Sequence, residues 1–401
     1  MKILQINVVY KKGSTGKIVF DIHSQLEKEG YQSYVYYGRG KNNSEKNIQK
    51  IAPEIIMKGQ SLRSRITGYA YSGCYLSTKK LIKDINELKP DLVHLHCLNG
   101  YFVNIYKLIE YLKRSNLPTV LTLHAEFMHT AGCGYAFECE RWKTGCYRCP
   151  QFKNGRPQSW LFDRSSQEWK MMKNAFEGFD NLIICPVSHW LESRAKQSPF
   201  MKSKKFQVIE NGLDTDIFCY HSDTNKRKEL GIAENDKVVI HVTPDFTSQI
   251  KGGKYVLKLA EKTVNEAIRY IIVGYNGNEK SLPKNVIPIE HTNNQVELAE
   301  LYSIADVTLL TSRKETFSMV CAESLSCGTP VVGFEAGAPE TISLEEYSTF
   351  VPFNNIGKLE KEMRAWCTRE VDHNMIQSKA QLRYEKKIMV KNYLSVYKEL
   401  L

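Results

Sequence analysis

The sequence lacks any apolar run long enough to cross a lipid bilayer, because nowhere in its 401 residues do about 18 apolar residues follow one another. No secretory leader is recognisable, since the apolar start of the chain breaks at Lys11, too early for the hydrophobic region of a signal peptide. These absences predict a cytoplasmic protein, soluble or peripheral to a membrane. In that compartment the 11 cysteines stay reduced unless a metal or catalysis uses them.

The common glycine-rich phosphate motifs are also missing. Residues 11–17 form a loop between a first buried strand and a helix, with Gly13 and Gly16 at a spacing that fits neither G-x-G-x-x-G nor Walker A. The order of strand, glycine loop and helix suits phosphate binding. A tight turn without a ligand explains the same residues, so both interpretations of this loop stay open.

The charge is unbalanced. A net charge of +11 favours anionic partners such as phosphates, acidic membranes or nucleic acid. No basic motif with stacking aromatics is present, so nucleic acid is not predicted. Residues 41–90 are loop-rich and basic, and their lysines and arginines alternate with apolar residues. That stretch predicts either a peripheral contact with anionic lipid heads or a plain solvated helical face.

The chain repeats a pattern of buried strand and helix. Strand-like runs occur at residues 2–9, 91–96, 120–124 and 182–188 and resume at 238–242, 270–274, 305–310 and 331–334. Such alternation predicts an α/β protein with two Rossmann-like, doubly wound parallel sheets facing a cleft. The predicted domains are 1–208 and 209–375, with a C-terminal helix at 376–401 that packs back on the first domain.

Residues 311–341 are the most informative stretch. They read as a strand end, a loop, a helix that Thr316 or Ser318 caps, a terminating Gly328 and a further strand. Glu315 falls at the carboxyl end of the strand, where open parallel sheets bind ligands, and Glu323 lies on the helix. A carboxylate beside helix N–H groups suits a ligand with both phosphate and hydroxyl groups.

Two further features carry chemistry. His124 ends the strand at 120–124, a position that favours a ligand contact over a purely structural histidine. The second feature is a cluster of four cysteines with C-x5-C-x6-C-x2-C spacing: Cys133, Cys139, Cys146 and Cys149. They predict a structural zinc site, with free thiols and disulfides as the alternatives. A catalytic metal is not predicted there, because four thiolates leave no open position.

The pattern Glu315-x7-Glu323 resembles that of the retaining GT-B glycosyltransferases of family four. Residues 211–218, NGLDTDIF, look like the linker of that family. Residues 187–191 resemble its V-S-x-x-L segment, and residues 122–124 resemble its strand with a terminal histidine. The resemblance spans nearly the whole chain in the right order. The cysteine segment looks like that of a subgroup found in capsule and exopolysaccharide clusters.

The resemblance implies a role for each matching residue. Glu315 and His124 would contact the donor sugar, Lys251 would neutralise the leaving diphosphate, and Glu323 would hold the ribose. The helix start would bind phosphate through the N–H groups of Phe317, Ser318, Met319 and Val320. Gly16 would lie near phosphate or acceptor.

The resemblance also implies the reaction. A nucleotide-sugar donor would pass its sugar, with retention, to a lipid-linked or oligosaccharide acceptor at the inner face of the cell membrane. No cofactor or metal would be needed for catalysis, and no convincing D-x-D site is present. One departure stands out, because Asp245 occupies the position, six residues before Lys251, where the family usually has an arginine.

Two other functions fit parts of the sequence. A GT-B epimerase or phosphorylase shares the fold, but the Glu315–Glu323 pair and residues 211–216 argue against it. A non-catalytic nucleotide-sugar-binding scaffold would account for Asp245, although Glu315, Lys251 and His124 argue for an enzyme.

Overall fold

The computed structural model describes residues 1–153, 159–292 and 294–401. These residues form two compact units, one made of Met1–Glu210 with Met389–Leu401 and the other of Asn211–Ile388. The division falls two residues after the predicted boundary at 208/209.

The first unit is built on a parallel sheet. Its strands are β1 Lys2–Asn7, β2 Gln32–Tyr37, β3 Ile48–Lys50, β4 Leu92–Leu95, β5 Thr119–Leu123, β6 Leu182–Pro186 and β7 Lys205–Phe206. They lie in the order β3-β2-β1-β4-β5-β6-β7. The helices of its main segment are α1 Gly13–Lys28, α2 Glu54–Thr67, α3 Tyr75–Leu88, α4 Ile105–Arg114, α5 Phe127–Thr130, α6 Ser165–Phe176 and α7 His189–Ala195.

The second unit repeats this plan. Its strands are β8 Lys237–Val242, β9 Ile268–Val273, β10 Val286–Ile289, β11 Val307–Leu310, β12 Val331–Phe334 and β13 Ser348–Val351, in the order β10-β9-β8-β11-β12-β13. Its helices are α8 Lys226–Glu229, α9 Gly253–Lys262, α10 Gln295–Ser303, α11 Met319–Ser326, α12 Pro339–Ile342, α13 Ile356–Thr368 and α14 His373–Tyr384. The last helix of the chain, α15 Lys386–Leu400, begins in this unit and continues into the first.

Each sheet reverses its strand order once. The chain moves outward from β1 to β3 and returns to β4 beside β1, and it moves outward from β8 to β10 and returns to β11 beside β8. All these strands pair in parallel. Every residue of β4, β5, β11 and β12 is buried, which explains their apolar sequences, since parallel sheets are covered on both faces. The predicted fold class of two Rossmann-like sheets is confirmed.

Helix α15 packs on the first unit. Met389, Tyr393 and Tyr397 join the same hydrophobic core as Ile3 and Ile22. The predicted helix at 376–401 is wrong in one respect: two helices, α14 and α15, separate at Glu385, and only Met389–Leu401 belongs to the first unit. The extended backbone of Glu385 (φ −60°, ψ 130°) ends α14 there.

Two local predictions also need correction. Most of the predicted loop at 11–17 is helical, because α1 already begins at Gly13, whose φ of +63° favours glycine. Residues 41–90 are less loop-rich than predicted, because α2 and α3 occupy most of them. In the described ranges, no helix has both the length and the apolar character needed to cross a lipid bilayer.

Candidate functional site

The loops after β8 and β11 are tied to each other at the reversal of the second sheet. The Thr311 hydroxyl donates a hydrogen bond to the Lys251 carbonyl (3.0 Å), and the Arg313 N–H donates to the Ile250 carbonyl (2.7 Å). Gly252, with a φ of +72°, lies so close to the Thr311 carbonyl that a Cβ would collide with it. A glycine is therefore required for these two loops to approach.

An ion pair spans the two loops. The Nζ of Lys251 lies 2.7 Å from Oε1 of Glu315, whose residue surface is 8% exposed. The backbone of Glu315 is held from a third loop, since its N–H donates to the Ala336 carbonyl (3.0 Å) and its carbonyl accepts from the Ala338 N–H (3.2 Å). The structure thus brings the two predicted residues Lys251 and Glu315 into direct contact.

Helix α11 starts at Met319, four residues beyond Glu315. The Ser318 side chain caps it by accepting a hydrogen bond from the Cys321 N–H (3.3 Å), which confirms one of the two predicted caps. Ser318 has a φ of +94°, a conformation that costs a non-glycine residue free energy and is found most often at functional sites. Met319 and Val320, two of the residues predicted to bind phosphate through their N–H groups, form the start of α11, whereas Phe317 precedes the cap.

Glu323 lies on the second turn of α11. Its Oε2 accepts a hydrogen bond from the hydroxyl of Tyr302 (3.2 Å). Burial, together with the nearby Glu323 charge, raises the pKa of Tyr302 well above its ordinary value. The tyrosine therefore remains a proton donor and fixes the orientation of the carboxylate.

Asp245 provides no substitute for the family arginine. Its carboxylate accepts hydrogen bonds from the Thr247 N–H (3.1 Å) and from Nδ2 of Asn276 (3.1 Å). The hydrogen bond with the Thr247 side chain lowers the pKa of this exposed carboxyl, so it is ionised at neutral pH. A negative charge thus occupies the position where the family usually has a cation.

In the first unit, His124 belongs to a chain of hydrogen-bonded side chains at the carboxyl ends of β4 and β5. Its Nε2 lies 3.2 Å from Nδ1 of His96, and Nε2 of His96 lies 3.3 Å from Oε1 of Gln5. If that amide oxygen accepts from His96, then His96 accepts from His124 through its other nitrogen. The neutral His124 ring then keeps Nδ1 as a hydrogen-bond acceptor.

These histidines are uncharged at neutral pH. Burial lowers the pKa of His124 to about 4, although part of its surface is accessible. Burial also holds the pKa of His94 and of His96 well below the ordinary value. His94 is fixed by Thr122 and by Tyr397 of α15, both at 2.7 Å. The cluster therefore offers polar contacts without positive charge.

Gly16 lies in the first turn of α1, beside β1. A Cβ there would lie 3.0 Å from the Val9 side chain, so glycine permits a close approach between helix and strand. Its carbonyl accepts a hydrogen bond from the Lys11 N–H (3.0 Å). Packing alone explains this glycine, and its predicted ligand contact stays a prediction.

The four cysteines of the cluster lie in one segment of the first unit. The Cys133 thiol donates a hydrogen bond to the sulfur of Cys149, which lowers the pKa of Cys149 to about 7 and raises that of Cys133. Cys133, Cys146 and Cys149 line one small cavity with Asp163. Within residues 1–153, 159–292 and 294–401, no three His, Cys, Asp or Glu side chains are close enough to hold a metal as they stand.

Two residues of these sites were not singled out from the sequence. His96 joins His124 to Gln5, and the spacing of His94 and His96 at a strand end was the available signal, because alternate residues share one side of a strand. Tyr302 supports Glu323, and no local pattern marks it, since the two residues meet only through the packing of α10 against α11.

The second unit thus holds a carboxylate, a lysine and a helix N-terminus at the reversal point of a parallel sheet. A lysine and backbone N–H groups stabilise negative charge on phosphate, while carboxylates accept hydrogen bonds from sugar hydroxyls. This site, in a chain with two Rossmann-like parallel sheets, defines a protein of the GT-B class. Residues 15–217 match Glycosyltransferase Family 4, and residues 222–383 match Glycosyl transferases group 1. The chain belongs to this family of glycosyltransferases, which confirms the resemblance seen in the sequence.

The chain is similar in sequence to particular relatives. The chain is 23% identical to the putative colanic acid biosynthesis glycosyl transferase WcaC of Escherichia coli K12, over 85% of each chain. It is 28% identical to N-acetyl-alpha-D-glucosaminyl L-malate synthase of Bacillus anthracis, over 40% of this chain and 43% of the relative.

Solved structures have the same fold. Sucrose-phosphate synthase of Thermosynechococcus elongatus superposes with a TM-score of 0.70 at 14% identity, covering 100% of this chain and 99% of that one. Anabaena Alr3699/HepE in complex with UDP-glucose superposes with a TM-score of 0.65 at 16% identity, covering 100% of both chains.

Proposed function

We propose that this glycosyltransferase moves a sugar from a nucleotide-sugar donor, with retention of configuration, to a lipid-linked or oligosaccharide acceptor in surface polysaccharide biosynthesis. The observation that carries the proposal is the contact between Lys251 and Glu315 at the carboxyl ends of β8 and β11. Lys251 supplies a fixed cation, and Glu315 beside it supplies a carboxylate that can accept hydrogen bonds from hydroxyl groups. A nucleotide sugar needs both, because its phosphates leave with negative charge while its sugar presents hydroxyl groups.

The relatives support the donor and the pathway. WcaC is named for colanic acid biosynthesis, and Alr3699/HepE has been crystallised with UDP and with UDP-glucose. In this proposal a nucleoside diphosphate is the leaving group here as well, and the product extends a polysaccharide at the inner face of the cell membrane.

The proposed chemistry is an exchange at the anomeric carbon. The bond from that carbon to the leaving phosphate oxygen breaks, and a bond to the acceptor oxygen forms on the same face. The acceptor proton passes to the departing phosphate. Charge develops on the phosphates as the bond breaks, so Lys251 and the first-turn N–H groups of α11 stabilise the transition state most. Catalysis without a metal is part of the proposal.

The remaining roles follow from the local contacts. Glu323, oriented by Tyr302, holds the ribose hydroxyls of the donor. Nδ1 of His124 accepts a hydrogen bond from a sugar hydroxyl, a role that suits a ring whose pKa is about 4. Gly16 lies near phosphate or acceptor.

The test is release of nucleoside diphosphate from a panel of nucleotide sugars in the presence of polyprenyl-linked acceptors. Glu315→Gln should lower kcat/KM by about 100-fold or more while the fold is retained, since removing one preorganised group at a reacting centre typically has that effect. The matched control is Glu234→Gln, an exposed residue at the opposite, amino end of β8. It should retain the native rate, and equal rates for the two variants would refute the role of Glu315.

Asp245 motivates a second candidate, a scaffold that binds nucleotide sugars without turnover. That function predicts donor binding by calorimetry with no release of nucleoside diphosphate from any donor in the panel. Product analysis separates a third activity, since an epimerase would yield the nucleotide sugar of the other configuration. Proton NMR of the anomeric centre in the transferase product tests retention directly.

A further inference from the structure

The first unit exposes a concentrated apolar surface. Nine of the fifteen large hydrophobic side chains exposed in the described ranges lie in two short segments. We name this surface the α2–α3 face, and its apolar members are Ile55, Ile56, Leu62, Ile66, Tyr75, Leu76, Trp160, Leu161 and Phe162. Scattered exposed hydrophobic residues are ordinary, but a contiguous group of this size marks an interaction site.

Helix α2 provides a stripe along this face. Ile55, Leu62 and Ile66 recur at spacings of seven and four residues, which places them on one side of a helix. They are 75%, 50% and 42% exposed, whereas the opposite side buries Met57 and Ser64. One side of the helix therefore packs inside the protein, and another side presents an apolar stripe to solvent.

The segment at 159–162 widens the stripe. The Trp160 N–H donates a hydrogen bond to the Arg65 carbonyl (2.7 Å), and the Arg65 guanidinium lies 5.8 Å from the Trp160 ring centre. Gly68 abuts the Phe162 carbonyl so closely that a Cβ would collide with it. Trp160, Leu161 and Phe162 thus lie beside the end of α2 and are about half exposed or more.

Helix α3 adds positive charge. Its solvent side carries Leu76, which is 82% exposed, followed by Lys79, Lys80 and Lys83, and these four side chains line one open depression. Residues 54–88 contain six lysines and arginines against three carboxylates. Two of these carboxylates are already paired, Glu54 with Lys50 and Glu87 with Lys83. The face is therefore both apolar and cationic.

The connection between the two helices is held rigidly. Buried Glu168 accepts hydrogen bonds from the N–H groups of Ala70 (2.7 Å) and Tyr71 (3.0 Å) and from the Tyr106 hydroxyl (3.2 Å). Gly73, just before α3, packs against Gln60 of α2. The start of α3 is thereby fixed next to the middle of α2.

We propose that the α2–α3 face docks on a lipid bilayer that contains anionic headgroups. The exposed aliphatic and aromatic side chains would enter the headgroup–acyl boundary, while Lys58, Arg65 and the α3 lysines meet the negative headgroups. Charge complementarity selects this occupant, because an apolar surface flanked by cations fits a membrane that is apolar below an anionic plane. The proposal concerns this surface alone and does not depend on which acceptor the enzyme uses.

The experiment is partitioning of the intact protein onto vesicles, without any sugar substrate. Phosphatidylglycerol–phosphatidylcholine vesicles should bind the protein, and pure phosphatidylcholine vesicles should bind it much more weakly. Each lysine near an anionic surface contributes about fivefold to the partition coefficient, so Lys79→Gln with Lys80→Gln and Lys83→Gln should lower it by about 100-fold. Raising the salt concentration should weaken native binding for the same reason.

The charge control removes three exposed lysines of α15 instead, in the triple variant Lys387→Gln, Lys391→Gln and Lys398→Gln. It loses the same net charge, so an equal fall in partitioning would overturn the proposal by assigning binding to the field of the whole molecule.

An apolar variant tests the other half of the face. Ile55→Gln with Leu62→Gln and Ile66→Gln should lower partitioning by about tenfold for each side chain that leaves the acyl boundary. The matched triple is Val296→Gln, Met375→Gln and Leu382→Gln, three exposed residues of the second unit, and it should bind like the native chain.

Native protein that stays unbound to both vesicle types, or a dimer that the α2–α3 variant converts to monomer, would refute membrane docking. Circular dichroism melting of each variant verifies that it is folded.

Discussion

At the residue scale, Lys251 and Glu315 form an ion pair with each other. The pair is partly buried, with the lysine side chain 26% exposed, so neither charge is fully hydrated. A buried or half-buried charge that loses its partner is destabilising, and an incoming phosphate or sugar can replace that partner. The same contact therefore stabilises the two loops and keeps both groups ready for a ligand.

Removing the lysine should slow the reaction. Lys251→Ala is expected to lower kcat/KM by about 100-fold, because the cation acts on charge that develops in the transition state. The measurement is the steady-state rate of nucleoside diphosphate release. Lys258→Ala changes an exposed lysine on α9, the helix that begins just after Lys251, and should keep the native rate. Comparable rates for the two variants would show that the charge at 251 is not used.

Asp245 leaves Lys251 without the second cation that the family usually uses to neutralise phosphate charge. With a carboxylate at the position of the usual arginine, α11 and Lys251 must carry the phosphate charge in the proposed function. Ser318 matters for this reason, since its strained backbone and its cap on Cys321 fix the start of the helix.

At the scale of elements, sequence reasoning succeeded where the cause is local. The buried strands are contiguous apolar runs, and Ser318 and Gly328 mark the ends of α11 as capping chemistry requires. Sequence reasoning failed where tertiary contacts determine the end of a helix or the partner of a side chain. The break between α14 and α15 at Glu385 has no proline or glycine to announce it, and the contact between Tyr302 and Glu323 joins two helices that are separate in sequence.

The α2–α3 face illustrates the same limit. A basic stretch with interleaved apolar residues predicted two alternatives, lipid contact or a solvated helix. Exposure alone distinguishes Met57, which is buried, from Leu62, which is not, and their residue types do not. Trp160 was not among the predicted lipid-contact residues, since it comes from a distant part of the chain and lies beside α2 through tertiary contacts with Arg65.

The cysteine segment should contain zinc, a prediction that rests on its four thiols. Elemental analysis of the purified protein is expected to find about one zinc per chain, since four cysteine ligands make a closed structural site. Cys149→Ser should lose that zinc and lower the melting temperature, because metal binding contributes directly to folding. Cys219→Ser, outside the cluster, should keep the metal. A native sample that is stable and free of zinc would leave the hydrogen-bonded thiols of Cys133 and Cys149 as ordinary thiols.

At the scale of the whole molecule, both units bury uncharged histidines. His94 and His96 lie in the first core, and His241 is fixed in the second by a hydrogen bond between its Nδ1 and the Leu309 carbonyl (3.0 Å). In each case burial lowers the folded-state pKa, to about 4 for His241. The unfolded chain therefore binds more protons than the folded chain as the solution is acidified.

The two units should consequently lose stability in the same pH range. Their histidine contribution is fully present above the ordinary pKa of about 6.5 and is lost progressively as the pH falls toward 4. For His241 the loss at pH 5 is about 2 kcal/mol, from a difference of roughly 1.5 pH units between 6.5 and 5. Because two units are present, the unfolding transitions are to be followed separately, with a probe in each.

His241→Gln tests the assignment in the second unit. The variant should be less stable at pH 7, where a fitted side chain and its hydrogen bond are lost, yet the change in its unfolding free energy between pH 7 and pH 5 should shrink by about 2 kcal/mol. His291→Gln, an exposed histidine of the same unit, should leave both the stability and its pH dependence as in the native chain. The measurement is urea unfolding at the two pH values. An unchanged pH dependence in His241→Gln would mean that other groups produce the acid sensitivity, since His241 would then bind no more protons in the unfolded chain than in the folded chain.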